Sequence, residues 1–152
     1  MAKKQNSIVL TPVEDVKVGE TLVSVKDLVV QFRVREKTLT AIRKISLDIK
    51  KGEVIAIVGE SGSGKSVFTK TLTGMLESNG NIANGSIMYS GCDLAQIKTN
   101  EDWLAVRGKR IATIFQDPMT SLNPLRKIGS QIMETIIAHR GLSKEEIGRA
   151  HV

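Results

Sequence analysis

The sequence predicts an α/β fold in which a parallel sheet is covered by helices. Two observations predict it. The stretch EVIAIV, residues 53–58, is apolar on both faces after Glu53, as strands buried on both sides of a parallel sheet are. The loop GESGSGKS, residues 59–66, and a helical stretch, SVFTKTLTGML, follow it directly, so that strand, loop and helix succeed one another.

The segments before EVIAIV predict a leader and two strands. Residues 1–20 are polar, and we expect this leader to be mobile at its start. The stretches LVSVKDLVVQFRV, residues 22–34, and LTAIRKISLDI, residues 39–49, are rich in β-branched residues and partly alternate in polarity. They therefore predict two strands, with an irregularity after Ala41 in the second. Lys51 and Gly52 are predicted to form a turn.

The segments after the loop predict further strands and helices. SNGNIANGS, residues 78–86, is typical of a turn region, whereas GSIMYSG, residues 85–91, and RIATIF, residues 110–115, predict strands. TNEDWLAVRGKR begins with Thr99 or Asn100 as a helix cap, and KIGSQIMETIIAHR, residues 127–140, has apolar residues at helical spacing. We expect Trp103 to pack in the core and His139 to cap its helix or face solvent.

Composition limits the possible functions. The length of 152 residues and the hydrophobic fraction of 41% suit one folded domain. The net charge of +6 is spread along the chain and favours attraction to anions, such as nucleotides or an acidic membrane surface. Aromatic residues make up only 3%, which argues against a nucleic-acid partner. Cys92 is the only cysteine and is expected to be an incidental reduced thiol. No apolar run reaches transmembrane length, so we expect membrane association through a partner only.

The loop after EVIAIV matches the phosphate-binding pattern G-x-x-x-x-G-K-[ST] at Gly59, Gly64, Lys65 and Ser66. Glycines allow a tight turn and a close approach of the backbone to a ligand, so that main-chain amides can surround phosphate oxygens. The lysine adds a full positive charge, and the serine hydroxyl can ligate Mg²⁺. A glycine-serine linker would give the same letters, and a dinucleotide-binding loop has a different glycine spacing. The motif alone does not separate kinases, GTPases and transport ATPases.

The segment IFQDPMTSLNP, residues 114–124, makes that separation. Together with GESGSGKS it strongly resembles the ATP-binding subunits of ABC transporters, in the oligopeptide and dipeptide importer branch. The resemblance runs from about Leu22 to about Lys144. It implies the N-terminal portion of a P-loop NTPase domain over residues 21–152. This portion comprises an antiparallel β subdomain, a parallel-sheet core and the start of a helical subdomain.

The resemblance also implies roles for individual residues. Gln116 matches the glutamine that reaches Mg²⁺ and the attacking water, and Ser66 would be the second protein ligand of Mg²⁺. Phe32 lies where the family keeps an aromatic residue that stacks on adenine, although packing in the core is an equal alternative. The loop residues expected to bind ATP are Gly59, Gly62, Ser63, Gly64, Lys65, Ser66 and Val67.

The implied function is peptide uptake powered by ATP at the cytoplasmic face of the membrane. The implied partners are transmembrane permease subunits that meet residues 117–145, a second ATP-binding subunit and, indirectly, a peptide-binding protein. Nickel and some sugar importers have near-identical ATPase sequences, so the substrate is the weakest inference. The alternative function is a small P-loop nucleotide-binding module without a transport role.

The sequence departs from the family in one respect. It contains no LSGGQ signature, Walker B aspartate, catalytic glutamate or switch histidine. Residues 146–152, EIGRAHV, do not continue the family pattern, which makes a non-native tail our hypothesis for them. We therefore expect a truncated form that binds nucleotide without hydrolysing it alone and that is poorly soluble or partly molten.

Overall fold

The computed structural model describes residues 8, 10–116, 121–140 and 147. The chain divides into two units, Met1–Ala105 and Val106–Val152. Among the described residues, the first unit contains the sheet, two short 3₁₀ turns and the helices α1 and α2, and the second unit contains the helix α3. In chain order the elements are a 3₁₀ turn Val13–Asp15, β1 Thr21–Val34, β2 Lys37–Lys50, α1 Lys65–Leu72, β3 Gly80–Tyr89, β4 Cys92–Asp93, a 3₁₀ turn Leu94–Gln96, α2 Asn100–Trp103 and α3 Ile128–Arg140.

The sheet of the first unit has the strand order β2-β1-β3-β4, and all three neighbouring pairs are antiparallel. The predictions of β1 and β2 are confirmed, and so is the irregularity at Ala41. In the register between the strands, Val30 pairs with Ile42 and Gln31 pairs with Thr40, which leaves Ala41 as an extra residue in β2. Val30 and Ile42 are both buried, so the core begins on the face where this bulge lies.

β3 begins earlier than the sequence predicted. The asparagines and glycines of SNGNIANGS indicated a turn over residues 78–86, but residues from Gly80 onward pair with β1. The turn prediction was wrong over this part because the long strand β1 supplies a full row of hydrogen-bonding partners, and such tertiary pairing outweighs a weak local preference. Gly85 lies at a register shift between the pairs Lys26–Ser86 and Val29–Asn84, with φ of +92°.

The predicted strands EVIAIV and RIATIF are not strands in the structure. Residues 53–58 form no ladder with any described residue, and Val54 and Val58 are 96% and 88% exposed. RIATIF contributes a single isolated bridge, between Arg107 and Ile111, and Ile114 is 93% exposed. Apolar patterning shows which segments favour burial, but a strand also needs a neighbouring strand for its main-chain hydrogen bonds. Neither unit supplies that neighbour within its described residues.

α1 is shorter than the predicted helical stretch and ends at Leu72. It buries Phe68 and Thr71, and the Thr71 hydroxyl donates to the Val67 carbonyl at 2.7 Å. Beyond its end, Gly74 has φ of +64°, which favours glycine, and Met75 N–H donates to the Lys70 carbonyl at 2.8 Å. These bonds satisfy carbonyls that the last turn of a helix leaves open.

The cap of α2 is confirmed at Thr99, whose hydroxyl oxygen accepts from the Asp102 N–H at 3.1 Å. This short helix places Trp103 in the core, where the side chain is 7% exposed. The packing role predicted for Trp103 is therefore confirmed. The indole lies directly on the backbone of Gly74, because a Cβ atom at that position would overlap the ring.

Replacing Gly74 with alanine is expected to displace Trp103 and to lower the free energy of unfolding by about 2–4 kcal/mol, from left-handed backbone strain and overpacking. Trp103 is the only tryptophan, so its fluorescence reports this site alone. We expect a red-shifted emission maximum in the folded variant and an earlier urea midpoint. An unchanged emission spectrum and midpoint would contradict the observed packing. Gly129, which has no described atom within 4 Å of an added Cβ, provides the matched glycine-to-alanine control.

The leader is anchored where it is described. The Lys51 ammonium donates to the carbonyls of Val13 at 2.9 Å and Val16 at 2.7 Å, and the Thr11 N–H donates to the Ser90 carbonyl at 2.8 Å. The predicted turn at Lys51 and Gly52 is confirmed. Residues 1–7, which include the expected mobile start, lie outside the described residues.

The second unit is organised around α3, which confirms the helix predicted over residues 127–140. The Gln131 side-chain amide accepts from Asn123 N–H at 2.7 Å and donates to the carbonyls of Asn123 and Arg126, so it ties the preceding loop to the helix. Arg126 also forms an ion pair with Glu134. His139 is half-buried, with its ring against the backbone of Gly108, and its expected capping or solvent-facing role stays a prediction.

Candidate functional site

The loop of residues 59–64 joins the apolar segment EVIAIV to α1. Gly62 and Gly64 have φ of +80° and +96°, values that side chains strongly disfavour. The Ser63 N–H donates to the Glu60 carbonyl at 3.2 Å and closes a turn within the loop. The two positive φ angles explain why glycines are needed here, since other residues would strain this path of the chain.

The N-terminal end of α1 opens into this loop. Gly64 is the N-cap residue, and among the described residues no side chain caps the helix. The first helical hydrogen bond runs from the Phe68 N–H to the Gly64 carbonyl at 2.9 Å. Helix geometry leaves the amides of Lys65, Ser66 and Val67 without partners inside the helix. Together with the positive end of the helix dipole, these donors can bind an anion.

Lys65 folds back over the loop. Its ammonium donates to the carbonyls of Gly59 at 2.7 Å and Glu60 at 2.6 Å, and lies 3.3 Å from the Ser63 hydroxyl. The loop therefore holds a positive charge at its centre. An anion that entered between this charge and the helix amides would find donors on two sides, which fits the polyphosphate chain of a nucleotide.

The loop rests on the sheet at the bulge of β2. A Cβ atom built on Gly64 would lie 3.0 Å from the Ala41 carbonyl oxygen and 3.8 Å from Cγ1 of Ile42. A cavity of about 290 Å³ adjoins the loop. Because the bulge turns the Ala41 carbonyl toward α1, the sheet fixes the position of the glycine that begins the helix. The cavity is lined by Ile45, Leu47, Ile57, Val58, Gly59, Ser63, Gly64, Lys65 and Phe68.

Phe32 lies on the sheet face that carries the loop. It pairs with Leu39 of β2, and side chains of paired residues share a face. Val30, two residues earlier, pairs with Ile42, which lies beside Gly64. Phe32 is half-buried, so it packs on the sheet and still presents part of its ring to solvent.

The site residues predicted from sequence are distributed over both units. Residues 59–67 form one continuous loop and helix start in the first unit, with Phe32 on the adjoining sheet. Gln116 belongs to the second unit, where it lies exposed in a bend. Residues 117–120 lie outside the described residues. The described part of the chain contains no group of three His, Cys, Asp or Glu side chains placed to hold a metal. The exposed Ser66 hydroxyl is an oxygen that could ligate a magnesium ion together with the phosphates.

The shifted pKa values lie away from the loop. The hydrogen bond from Lys70 lowers the pKa of Glu77, and the hydrogen bond to Glu134 raises the pKa of Arg126. Burial, followed by the charge of Asp93, raises the pKa of the Cys92 thiol. Cys92 is therefore protonated at neutral pH and is a weak nucleophile, which agrees with its interpretation as an incidental thiol.

Two structural contacts of the site were missed by sequence reasoning. One is the contact of the Ala41 carbonyl with Gly64, for which the irregularity in the β2 pattern was a partial signal. The other is the contact of Phe32 with Gly80, which lies directly opposite it in β3. The sequence NGN, residues 79–81, does not indicate whether its glycine lies beneath an aromatic ring or in a turn. The sequence therefore held no signal for this second contact.

Comparisons with known proteins agree with this geometry. The family model described as ABC transporter matches residues 42–150. The oligopeptide transport ATP-binding protein AmiE of Streptococcus pneumoniae is 59% identical over 125 residues, which are 82% of this chain and 35% of that relative. The dipeptide transport ATP-binding protein DppD of Lactococcus lactis is 47% identical over 84% of this chain and 36% of its own length. The chain thus spans about a third of the length of these curated relatives.

A solved structure extends the likeness to the fold. The ATP-binding cassette MJ0796, in a dimeric post-hydrolysis state bound to ADP and Pi, superposes with a TM-score of 0.67 at 25% identity. The match covers 82% of this chain and 51% of that one. The predicted fold class, an ABC-type P-loop domain, is confirmed. The parallel-sheet core expected within it is not formed by the described residues, whose paired strands are all antiparallel, because EVIAIV has no neighbouring strand there. In the part of the chain that the structure describes, no helix has the length and apolar character needed to cross a membrane. The chain belongs to the ABC transporter ATP-binding family.

Proposed function

We propose that this chain is the nucleotide-binding part of an ATPase subunit that couples ATP binding and hydrolysis to uptake of oligopeptides or dipeptides. The observation that carries the proposal is the uncapped N-terminus of α1, which opens toward the Lys65 ammonium across a glycine loop. This arrangement offers amide donors and a positive charge to a triphosphate. AmiE and DppD, which are oligopeptide and dipeptide transport ATP-binding proteins, support the choice of peptides as substrate.

Each residue of the site has a separate task in this proposal. Lys65 leaves the carbonyls of Gly59 and Glu60 and pairs with the β- and γ-phosphates. The free amides at the start of α1 hold the phosphate oxygens, and Phe32 contacts the adenine ring. Mg²⁺, when bound, would neutralise phosphate charge, and the Ser66 hydroxyl would hold it from the first unit. A role for Gln116 toward Mg²⁺ stays a prediction from the resemblance.

The proposed setting is the cytoplasmic face of the membrane. Two such subunits would associate with transmembrane permease subunits, and a peptide-binding protein would act indirectly through the permease. The surface of the second unit that begins near Gln116 would meet the permease.

The experiment that tests the proposal measures Mg·ATP binding by calorimetry and then association with the permease. We expect one ATP site per chain, and we expect the purified chain to be retained by membranes that contain a peptide permease. Absence of nucleotide binding would contradict the proposal. ATP binding without retention on those membranes would instead favour the small nucleotide-binding module.

A further inference from the structure

We propose that Gly80 is a positioning residue that sets the orientation of the Phe32 ring as a platform for a purine base. The inference rests on the proposed function, since it concerns the base end of the same nucleotide site. Gly80 lies outside the phosphate loop, sixteen positions after Gly64. It acts through Phe32 and has no assigned contact with the nucleotide.

The contact between the two residues is direct. Phe32 of β1 and Gly80 of β3 are antiparallel partners. A Cβ atom built on Gly80 would lie 2.7 Å from Cε1, 3.1 Å from Cδ1 and 3.2 Å from Cζ of the Phe32 ring. The ring thus occupies the space that any side chain at position 80 would fill.

The backbone conformation at position 80 does not explain why glycine is found there. The φ angle of Gly80 lies outside the left-handed region, so alanine could adopt the same main-chain conformation without strain. This separates Gly80 from Gly62 and Gly64, whose positive φ angles require glycine. The one demand on position 80 that the structure shows is therefore space for an aromatic ring.

The surrounding hydrogen bonds prevent the two strands from separating to make room. The Arg33 N–H of β1 donates to the carbonyl of Asn79, the residue before Gly80, at 2.9 Å, whereas the bond from the Gly80 N–H to the Glu77 carbonyl closes the turn that leads into β3. The Asn79 side-chain amide also donates to the Arg33 carbonyl, at 3.1 Å. A methyl group on Gly80 would therefore push the ring and leave the strand in place.

The position of the ring relative to the loop suits one nucleotide. Leu39, the β2 partner of Phe32, lies two residues before Ala41, whose carbonyl faces Gly64. Two residues of strand span at most about 7 Å, and the bulge at Ala41 shortens this further. Phe32 is half-buried and Leu39 is 57% exposed, so the sheet offers an accessible apolar surface near the residue that contacts Gly64. Aromatic rings in such positions stack on bases of any sequence.

The test is a double-mutant cycle on Phe32→Ala and Gly80→Ala, with Mg·ATP and inorganic triphosphate as the two probes. Triphosphate occupies the loop but has no base. We expect Phe32→Ala to weaken ATP binding by about 5- to 150-fold, as expected for loss of a stacked base. Gly80→Ala should weaken it by about threefold or more through the displaced ring. Triphosphate binding should stay unchanged in both variants, which also shows that they are folded.

The decisive comparison is Gly80→Ala in the Phe32→Ala background. If Gly80 acts only through the Phe32 ring, Gly80→Ala should not change ATP affinity further in the Phe32→Ala background. Three results would overturn the inference. They are an equal loss of affinity for both probes, a further loss of ATP affinity from Gly80→Ala in the Phe32→Ala background, and unchanged ATP affinity in Gly80→Ala alone. Gly129→Ala is the control for the substitution type. A native protein that binds neither probe would instead overturn the proposed function, and the inference with it.

Discussion

Replacing Lys65 with alanine is expected to weaken Mg·ATP binding by about 10- to 150-fold, because a lost hydrogen bond to a charged group costs about 1.5–3 kcal/mol. The ammonium already lies at the centre of the loop, held by the Gly59 and Glu60 carbonyls. It needs only a short movement to reach a phosphate. Calorimetric titration with ATP measures the change.

A second lysine in the same helix gives the control. Lys70 pairs with Glu77 on the exposed side of α1 and lies outside the loop. Lys70→Ala should leave ATP affinity within about twofold, since an exposed ion pair contributes little. The two variants carry the same change in net charge, so general attraction of anions cannot account for a difference between them. Equal affinities for Lys65→Ala and the native protein would show that the loop is not the phosphate site.

Replacing Gly85 with alanine is expected to lower the free energy of unfolding by about 2–5 kcal/mol, the sum of left-handed strain and a main-chain clash. Gly85 has φ of +92°, and an added Cβ would lie 2.5 Å from the Lys26 carbonyl oxygen and 2.6 Å from that of Asp27. Backbone atoms at the bulge of β1 cannot rotate away as a side chain would. Since domains are stable by only about 5–15 kcal/mol, this loss is a large share of the total. Urea denaturation followed by circular dichroism measures it.

Gly19 separates the two causes of the Gly85 effect. Its φ is +90°, but no described atom lies within 4 Å of an added Cβ. Gly19→Ala should therefore show the backbone strain alone, about 1–2 kcal/mol. If Gly85→Ala costs no more than Gly19→Ala, the close approach between β1 and β3 is not rigid.

Local patterns predicted the elements whose determinants are local. β1 and β2 followed from β-branched alternation, α3 from apolar spacing and the start of α2 from the hydroxyl of Thr99. The phosphate loop followed from four residues at fixed spacing, because glycine conformation and lysine charge are properties of those residues themselves. EVIAIV failed as a predicted strand because ladder formation depends on another segment of chain. The contact of Phe32 with Gly80 could not be predicted, because the register between two strands decides which residues lie opposite each other. The amino-acid sequence alone did not determine that register.

The extra residue in β2 has a consequence for the dimensions of the site. Ala41 supports the phosphate end through its carbonyl, and Leu39, two positions earlier on the same strand, faces the ring of Phe32. In the proposed site, one strand would therefore set the separation between the two ends of the nucleotide. Deletion of this extra residue would remove the bulge that brings the Ala41 carbonyl to Gly64 and would shorten the gap by about 3 Å. The length of this hairpin is thus as important to the proposed nucleotide site as its composition.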